Sequence, residues 1–388
     1  GSLKFLRPNN NPTFDFNFTY PERDFQNGLN ENFAALRGPQ AVAVSDVTVP
    51  LYGLSGSGAG DGVDSSTLDT SCSEAIEALT GAAATDNEGD TTDAISPGSG
   101  ATLTVDAVPG SPVSDGGAVL VKSDTSGKYV AREVISSSGA DYTLDRVVTD
   151  DDGNSDSPEA SSVVYAGRSF YFDNTNSNPD HLYFDVETEG ARHRMYGVYG
   201  NGALQFPAGQ YASMNLTGLQ LTKWDNPAKA NPTYSAPTQG NEIVIVDSPL
   251  WIGSTQYMAF DFAFDFGVTS SPRRNEGADN GHSGFVRVNS MPKLTGKIRY
   301  GALTTPDEIT EAAMEALRGS STFSKVTGDL SVQIGREAGA CVYIRMPAAQ
   351  IKFTKEDNNG QRVLGFEATA TESPSQSNVP GACRIHLF

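Results

Sequence analysis

Two widely separated segments of this chain read almost alike, and each alternates phenylalanine with small or polar residues. Residues 14–20 read FDFNFTY and residues 260–266 read FDFAFDF. Such alternation places the phenylalanines on one face of a β-strand and the remaining residues on the other. Short alternating runs bounded by Gly, Pro, Asn and Asp recur along the chain, which holds 40 glycines and 21 prolines. The sequence therefore predicts a mainly β fold with many turns and few long helices.

The two phenylalanine runs each begin a similar series of elements. A strand run follows each of them, then a short helix signal that starts with a hydroxyl residue and glutamate and ends on glycine. Both series close with a strand, a glycine turn, a strand and a hairpin. The matched segments are 38–53 with 284–301, 73–81 with 310–319, and 182–222 with 330–371. Because four elements match in the same order, the sequence predicts a duplicated β-sandwich or barrel domain with one helix in each copy.

The first copy holds extra strands between its helix and its closing strands. These five strand signals are 101–108, 117–123, 128–135, 142–148 and 161–167. They predict a small all-β domain inserted at 82–170. The remaining boundaries are a discontinuous first domain at 1–81 and 171–222, a linker at 223–242, a second domain at 243–372 and a C-terminal arm at 373–388.

The residue chemistry argues against several classes of function. The chain carries 47 acidic and 27 basic side chains, a net charge of −20, which does not suit a protein that grips nucleic-acid phosphates. Its three cysteines are widely separated, and its four histidines do not fall at metal-ligand spacing. The acidic runs at 86–93 and 150–156 favour solvated turns over weak calcium binding, because they lack the glycine and glutamate spacing of a calcium loop. The sequence therefore predicts no catalytic, cofactor or metal site, and no enzyme.

Three groups of residues are candidates for contacts outside the fold. The first consists of acidic residues that alternate with the phenylalanines and so face water or a neighbour. The second lies in the polar segment 268–284, which is too long for a tight turn and is either a mobile loop or an arm that docks on another subunit. The third is the apolar end of the C-terminal arm, poorly suited to a free tail in water. The groups are Asp15, Asp261 and Asp265; Arg273, Arg274, Asn275 and Glu276; and Ile385, Leu387 and Phe388.

The chain resembles the major tail tube proteins of long-tailed, siphovirus-type bacteriophages, especially those with two tube domains in one subunit. The resemblance lies in the order strand, long loop, strand, helix and final hairpin. It also lies in AGACVYIRMPAAQIKF (338–353), GFEATATE (365–372) and the lone helices SEAIEALTG and TEAAMEALRG. It covers most of residues 14–222 and 243–371, while the large insertion departs from the family pattern.

The resemblance implies a structural subunit that assembles into stacked rings around a hollow bore, through which DNA passes into the host. Rings of this family commonly present six tube domains, so a chain with two is expected to close as a homotrimer of pseudo-sixfold symmetry. The implied partners are copies of the chain itself and other tail proteins, namely the terminator, tape measure and distal tail proteins. DNA is expected to pass without specific binding, and no membrane is involved. The implied location is the virion, after assembly in the host cytoplasm.

The resemblance also assigns expected roles to the three candidate groups. Asp15, Asp261 and Asp265 are expected to line the bore, where an acidic wall repels DNA. Residues 273–276 are expected to contact the adjacent ring, and the C-terminal arm a neighbouring subunit. The inserted domain is expected on the outer surface, where its deletion leaves assembly intact.

The alternative from a different class is a secreted or surface β-rich adhesin or carbohydrate-binding module. A polysaccharide depolymerase is a third, weaker class, and measurable hydrolysis would distinguish it. An adhesin would carry a secretion signal, and the first residues, GSLKFLRPNNNPTFDF, show no apolar region of that kind.

Overall fold

The computed structural model describes residues 14–15, 42–54, 72–85, 94–97, 101–105, 113–160, 162–173, 181–187, 192–225, 241–245, 248–274, 282–301, 309–318, 327–358, 360–371 and 381–388. The chain is mainly β, which confirms the prediction from its alternating runs. The strands are β1 Phe14–Asp15, β2 Val42–Val44, β3 Val47–Pro50, β4 Ala94–Pro97, β5 Thr102–Val105, β6 Ala118–Lys122, β7 Tyr129–Ser138, β8 Asp141–Leu144, β9 Tyr165–Ala166, β10 Arg168–Tyr171, β11 Leu182–Glu187, β12 Arg192–Phe206, β13 Ser213–Asp225, β14 Pro249–Ile252, β15 Thr255–Asp265, β16 Val268–Arg274, β17 His282–Ser290, β18 Lys293–Arg299, β19 Thr327–Ile334, β20 Val342–Asn358, β21 Gln361–Ala370 and β22 Arg384–Leu387.

Two short helices lie where the sequence places them, α1 at Ser73–Thr80 and α2 at Glu311–Arg318. The first ends at Gly81, whose φ of 86° closes the helix with a left-handed residue. Each helix spans eight residues, and within the described part of the chain no helix has the length and apolar character needed to cross a membrane.

Six strands of the C-terminal half close into an antiparallel barrel. Going round it, the strands follow the order β14, β15, β18, β21, β20, β19 and return to β14. The core side chains include Phe264, Leu294, Val332 and Leu364, all fully buried. Because the barrel closes, each of its six strands pairs with a neighbour on both sides.

The N-terminal half forms an open half-barrel with the order β1, β2, β13, β12, β11, and β3 also pairs with β13. This order of pairing matches the order β15, β18, β21, β20, β19 within the barrel. In the half-barrel, β1 pairs with β2, β2 with β13, β13 with β12, and β12 with β11. In the barrel, β15 pairs with β18, β18 with β21, β21 with β20, and β20 with β19.

The predicted phenylalanine face is correct for three of the four phenylalanines in residues 260–266. Phe262, Phe264 and Phe266 are buried, whereas Phe260 is only half-buried. A bulge separates them, because the pairing of β15 with β18 shifts register between Phe260 and Ala263, and Asp261 has a φ of 53°. The extra residue turns Phe260 out of the face that the alternation predicts for it.

The five strand signals of residues 101–167 all become strands, and β4 adds a sixth. They form one antiparallel sheet in the order β4, β5, β8, β7, β6, β9. Its core is built from side chains such as Leu103, Val119 and Tyr142, and it also includes Trp251, Tyr343 and Phe388 from outside the sheet. This sheet therefore shares its core with the C-terminal half.

The last strand, β22, joins elements that are distant in sequence. It pairs on one side with β10 and on the other with β20. Ile385 and Leu387 are fully buried and Phe388 is 3% exposed. The expectation of a C-terminal arm directed at another subunit thus differs from the structure, because the apolar residues that suggested the arm complete the sheet of their own chain.

Candidate subunit-interaction surfaces

Among the described strands, the pairing between β12 and β15 joins the half-barrel to the barrel. Residues 203–206 pair with residues 265–262 in antiparallel register, and Leu204 lies opposite Phe264 and Phe206 opposite Phe262. All four of these side chains are buried. We call this pairing the intrachain junction, because it continues the half-barrel sheet into the barrel.

Two of the predicted acidic residues bracket the intrachain junction. At one end, Asn201 Nδ2 donates to Asp265 Oδ1 (2.7 Å), which also accepts the backbone N–H of Gly267 (2.8 Å). At the other end, Asp261 Oδ1 accepts the backbone N–H of Ala208 (3.1 Å). Asp265 therefore links β15 to Asn201 within β12, and Asp261 links β15 to the turn that follows β12.

These contacts bear on the expected role of the acidic group. Asp265 is half-buried, and the Asp261 side chain is 36% exposed and forms an ion pair with Lys297 at 3.2 Å. Their bonds give both residues a structural role within the chain, and their orientation towards a bore stays a prediction. Asp15 pairs through its backbone with Ala43, and its side chain lies outside the described part of the structure.

The segment predicted as a loop or arm is a β-hairpin over the part that the structure describes. Strands β16 and β17 pair with each other in a separate two-stranded sheet that includes Arg273 and Arg274. Arg273 is exposed, and Asn275 and Glu276 fall outside the described residues. The segment forms a ladder instead of a loop because residues 268–271 and 284–288 are rich in β-formers that pair across it. A contact with an adjacent ring stays a prediction.

A buried aromatic side chain is one of the contacts between the hairpin and the half-barrel. Phe285 packs against Tyr199 of β12 with ring centroids 5.0 Å apart. Nearer the end at which the hairpin joins β15 and β18, Val288 is 64% exposed and Met291, just after β17, is 50% exposed. The hairpin thus has a buried aromatic contact towards its turn and exposed apolar side chains near its base.

A cluster of buried charges joins the six-stranded sheet, the barrel and the last strand. Glu133 of β7 is fully buried and accepts hydrogen bonds from Arg345 Nη1 of β20 (2.8 Å) and from Arg384 Nη1 of β22. His386 of β22 lies beside the same carboxylate, with Nε2 3.9 Å from Glu133 Oε2. We call these residues, with those of the next paragraph, the buried charge cluster.

The second carboxylate of the buried charge cluster is Asp145, just after β8. It accepts hydrogen bonds from Arg146 Nε (3.0 Å) and Tyr343 Oη (3.0 Å), and Arg345 Nε lies 3.7 Å away. Burial alone would raise the pKa of Asp145, but the guanidinium groups of Arg146 and Arg345 hold it below its ordinary value. Asp329 extends the cluster by accepting from Arg146 Nη2 and Arg345 Nη2.

A cation–aromatic contact lies next to this cluster. The Arg132 guanidinium sits 4.5 Å from the Trp251 ring centre and donates to the carbonyl of Ala131 (2.8 Å) and to Thr149 Oγ1 (3.0 Å). Its burial lowers the pKa of Arg132 to about 10. The contact adds a further link between β7 and β14.

Sequence reasoning missed the buried charge cluster, although one signal for it exists. Residues 128–135 read KYVAREVI, so a charged Arg-Glu pair interrupts an apolar strand. A buried carboxylate there requires cationic partners, but the arginines that supply them lie more than 200 residues away in sequence.

No family model matches the chain, and no curated protein matches it. Among the described residues, no group of three or more His, Cys, Asp or Glu side chains is arranged to hold a metal ion. A function can be argued from the strand pairings of the two halves and from the intrachain junction.

Proposed function

We propose that this chain is a structural subunit that assembles through its β-sheet edges into stacked rings forming a hollow tube of the bacteriophage tail-tube type. In this proposal the tube conducts DNA from the virion into the host. The half-barrel and the barrel are two copies of one tube domain, and the six-stranded sheet is an insertion in the first copy.

The observation that carries the proposal is the matched strand order of the two halves. The order β1, β2, β13, β12, β11 corresponds to β15, β18, β21, β20, β19, and each half contains one eight-residue helix. Two unrelated β domains would not be expected to share both the strand order and the position of a lone helix.

The intrachain junction also supports the proposal, because it joins two similar domains by strand pairing. Strand β15 of the second half pairs with β12 of the first half. A contact between two similar domains that uses different surfaces on each is heterologous, and it can repeat from chain to chain until a ring closes. Three chains with two domains each would then give a ring of six domains.

Electron microscopy of the purified protein at high concentration tests this function. The expected result is rings or tubes of uniform bore, and image averaging is expected to give three chains in each ring. A protein that stays monomeric at every concentration would contradict the proposal.

A further inference from the structure

One arginine of the hairpin is buried without a hydrogen-bond acceptor. Arg287 lies on β17 opposite Ser270 of β16 and is 7% exposed. Its three guanidinium nitrogens, Nε, Nη1 and Nη2, are buried and have no hydrogen-bond partner in the part of the chain that the structure describes. Buried cations are normally paired, because the loss of water around the charge is otherwise not compensated. Arg287 is therefore a donor group in need of an acceptor.

The surroundings of the guanidinium explain its position but leave its donors unsatisfied. It lies against the end of α1, where a side-chain carbon added to Gly81 would come within 2.1 Å of Nη1. The carbonyl end of a helix carries partial negative charge and favours a cation. Asp173 attracts the guanidinium as well, but burial outweighs this attraction and lowers the pKa of Arg287 below its ordinary value. The described chain thus attracts the cation without giving its N–H groups an acceptor.

Exposed apolar side chains lie next to Arg287 along the chain. Val288 is 64% exposed and Met291 is 50% exposed. Arginine and methionine are enriched in protein interfaces relative to the rest of the surface. Because Val288 directly follows Arg287, a second chain that covers Val288 comes close to the guanidinium. The hairpin is a separate two-stranded sheet, so it can shift at its contact with α1 without breaking the strand pairing of the main sheet.

We propose that Arg287 binds a carboxylate of a second copy of this chain, which accepts hydrogen bonds from two of its guanidinium N–H groups. This inference rests on the proposed function, since it names a residue through which one subunit binds the next. A second copy has carboxylates to spare, because the chain carries 47 acidic against 27 basic side chains. The planar guanidinium matches the two oxygens of a carboxylate, and such charge-assisted pairs are stronger than neutral hydrogen bonds.

Assembly of full-length Arg287 variants tests this inference. Arg287→Met removes the charge from a long side chain, and Arg287→Lys keeps the charge but loses the paired donors. Arg299→Met, at an exposed arginine of β18, is the matched control. Light scattering in a chloride buffer measures the concentration at which oligomers form. Thermal unfolding of the dilute monomer is measured for each variant.

For Arg287→Met, the concentration needed for assembly is expected to rise about 10- to 100-fold, because the contact loses hydrogen bonds to a charged group. Arg287→Lys should lie between this variant and the unmodified protein. The melting temperature of the Arg287→Met monomer should equal or exceed that of the unmodified monomer, because an apolar side chain replaces a buried cation without an acceptor. Arg299→Met should change neither quantity.

If the unmodified protein and Arg287→Met assemble at the same concentration, the inference is wrong and the proposed function stands. A lower melting temperature of the Arg287→Met monomer, with or without a change in assembly, would assign Arg287 to a contact within its own chain and contradict the inference. If the unmodified protein assembles only after phosphate is added to the chloride buffer, the acceptor is a dissolved anion and not a second copy. If the unmodified protein forms no oligomer at any concentration, the proposed function is wrong and the inference fails with it.

Discussion

At the scale of single residues, Glu133 is a buried carboxylate that contacts strands distant from it in sequence. Its carboxylate is fully buried and compensates two arginines that come from β20 and β22. A buried ion pair adds little net stability compared with apolar packing, but removal of one partner leaves charges without compensation. Glu133 therefore matters less for the energy that it adds than for the position that it imposes on three elements.

Glu133→Gln tests this. The neutral amide cannot compensate Arg345 and Arg384, so the free energy of unfolding is expected to fall by about 3–5 kcal/mol. Glu337→Gln, at an exposed position, is the matched control and is expected to change it by less than about 0.5 kcal/mol. Denaturant unfolding measures both. Equal effects in the two variants would show that the cluster imposes no such constraint.

His386 gives the buried charge cluster a pH dependence. Its ring is fully buried, Nδ1 lies 2.8 Å from Ser169 Oγ, and burial lowers its pKa below the ordinary 6.5. The unfolded chain therefore takes up a proton at a higher pH than the folded chain, and stability is lost as pH falls below about 6.5. Asp145 acts in the same direction at lower pH, because its lowered pKa contributes stability that is lost once the folded carboxylate protonates.

Unfolding curves between pH 8 and pH 5 check this effect. The free energy of unfolding is expected to stay level above about pH 6.5 and to decrease below it. His386→Asn, which keeps a polar atom near Ser169, should remove most of the decrease in this range. An unchanged slope in that variant would assign the pH dependence to other groups.

At the scale of elements, the sequence predicts strands and helices well and their partners poorly. The helices at 73–81 and 310–319 and the five strands of residues 101–167 are correct, because periodicity and capping are local properties. The bulge at Asp261 and the location of β22 were missed. Both depend on tertiary contacts. The bulge arises in the pairing of β15 with β18, and β22 is placed by its pairing with β10 and β20.

The position of β22 changes what a C-terminal truncation should do. An arm that binds a neighbour could be removed without loss of the fold, whereas β22 holds Ile385 and Leu387 in the core. Removal of residues 381–388 is therefore expected to abolish cooperative unfolding of the monomer as well as assembly. A truncated chain with an unchanged melting transition would contradict this.

A milder substitution keeps this prediction measurable if the truncated chain does not fold. Leu387→Ala removes a fully buried side chain and is expected to cost about 2–5 kcal/mol of unfolding free energy. Met291→Ala, at a side chain that is 50% exposed, should have an effect of less than about 0.5 kcal/mol.

At the scale of the whole molecule, the six-stranded sheet is integrated with the barrel. Trp251, Tyr343 and Phe388 lie in its core, and the carboxylates of Glu133 and Asp145 compensate arginines of β20 and β22. The expectation that deletion of residues 82–170 leaves assembly intact therefore needs revision, because deletion would remove Glu133 from Arg384, leave Arg345 with Asp329 alone and expose Trp251.

We expect a chain in which residues 82–170 are replaced by a short glycine-serine linker to be insoluble or aggregated on size-exclusion chromatography. The physical reasons are the newly exposed apolar surface and the uncompensated charges. A soluble, assembling deletion variant would show that the sheet is an independent decoration.

The central claim is that two similar β domains in each chain build a ring of copies of that chain. Image averaging of the assembled protein by electron microscopy tests it most directly. The account predicts a hollow ring of three chains that displays six similar β domains around the bore. A ring of six chains, or a protein that remains monomeric at every concentration, would contradict it.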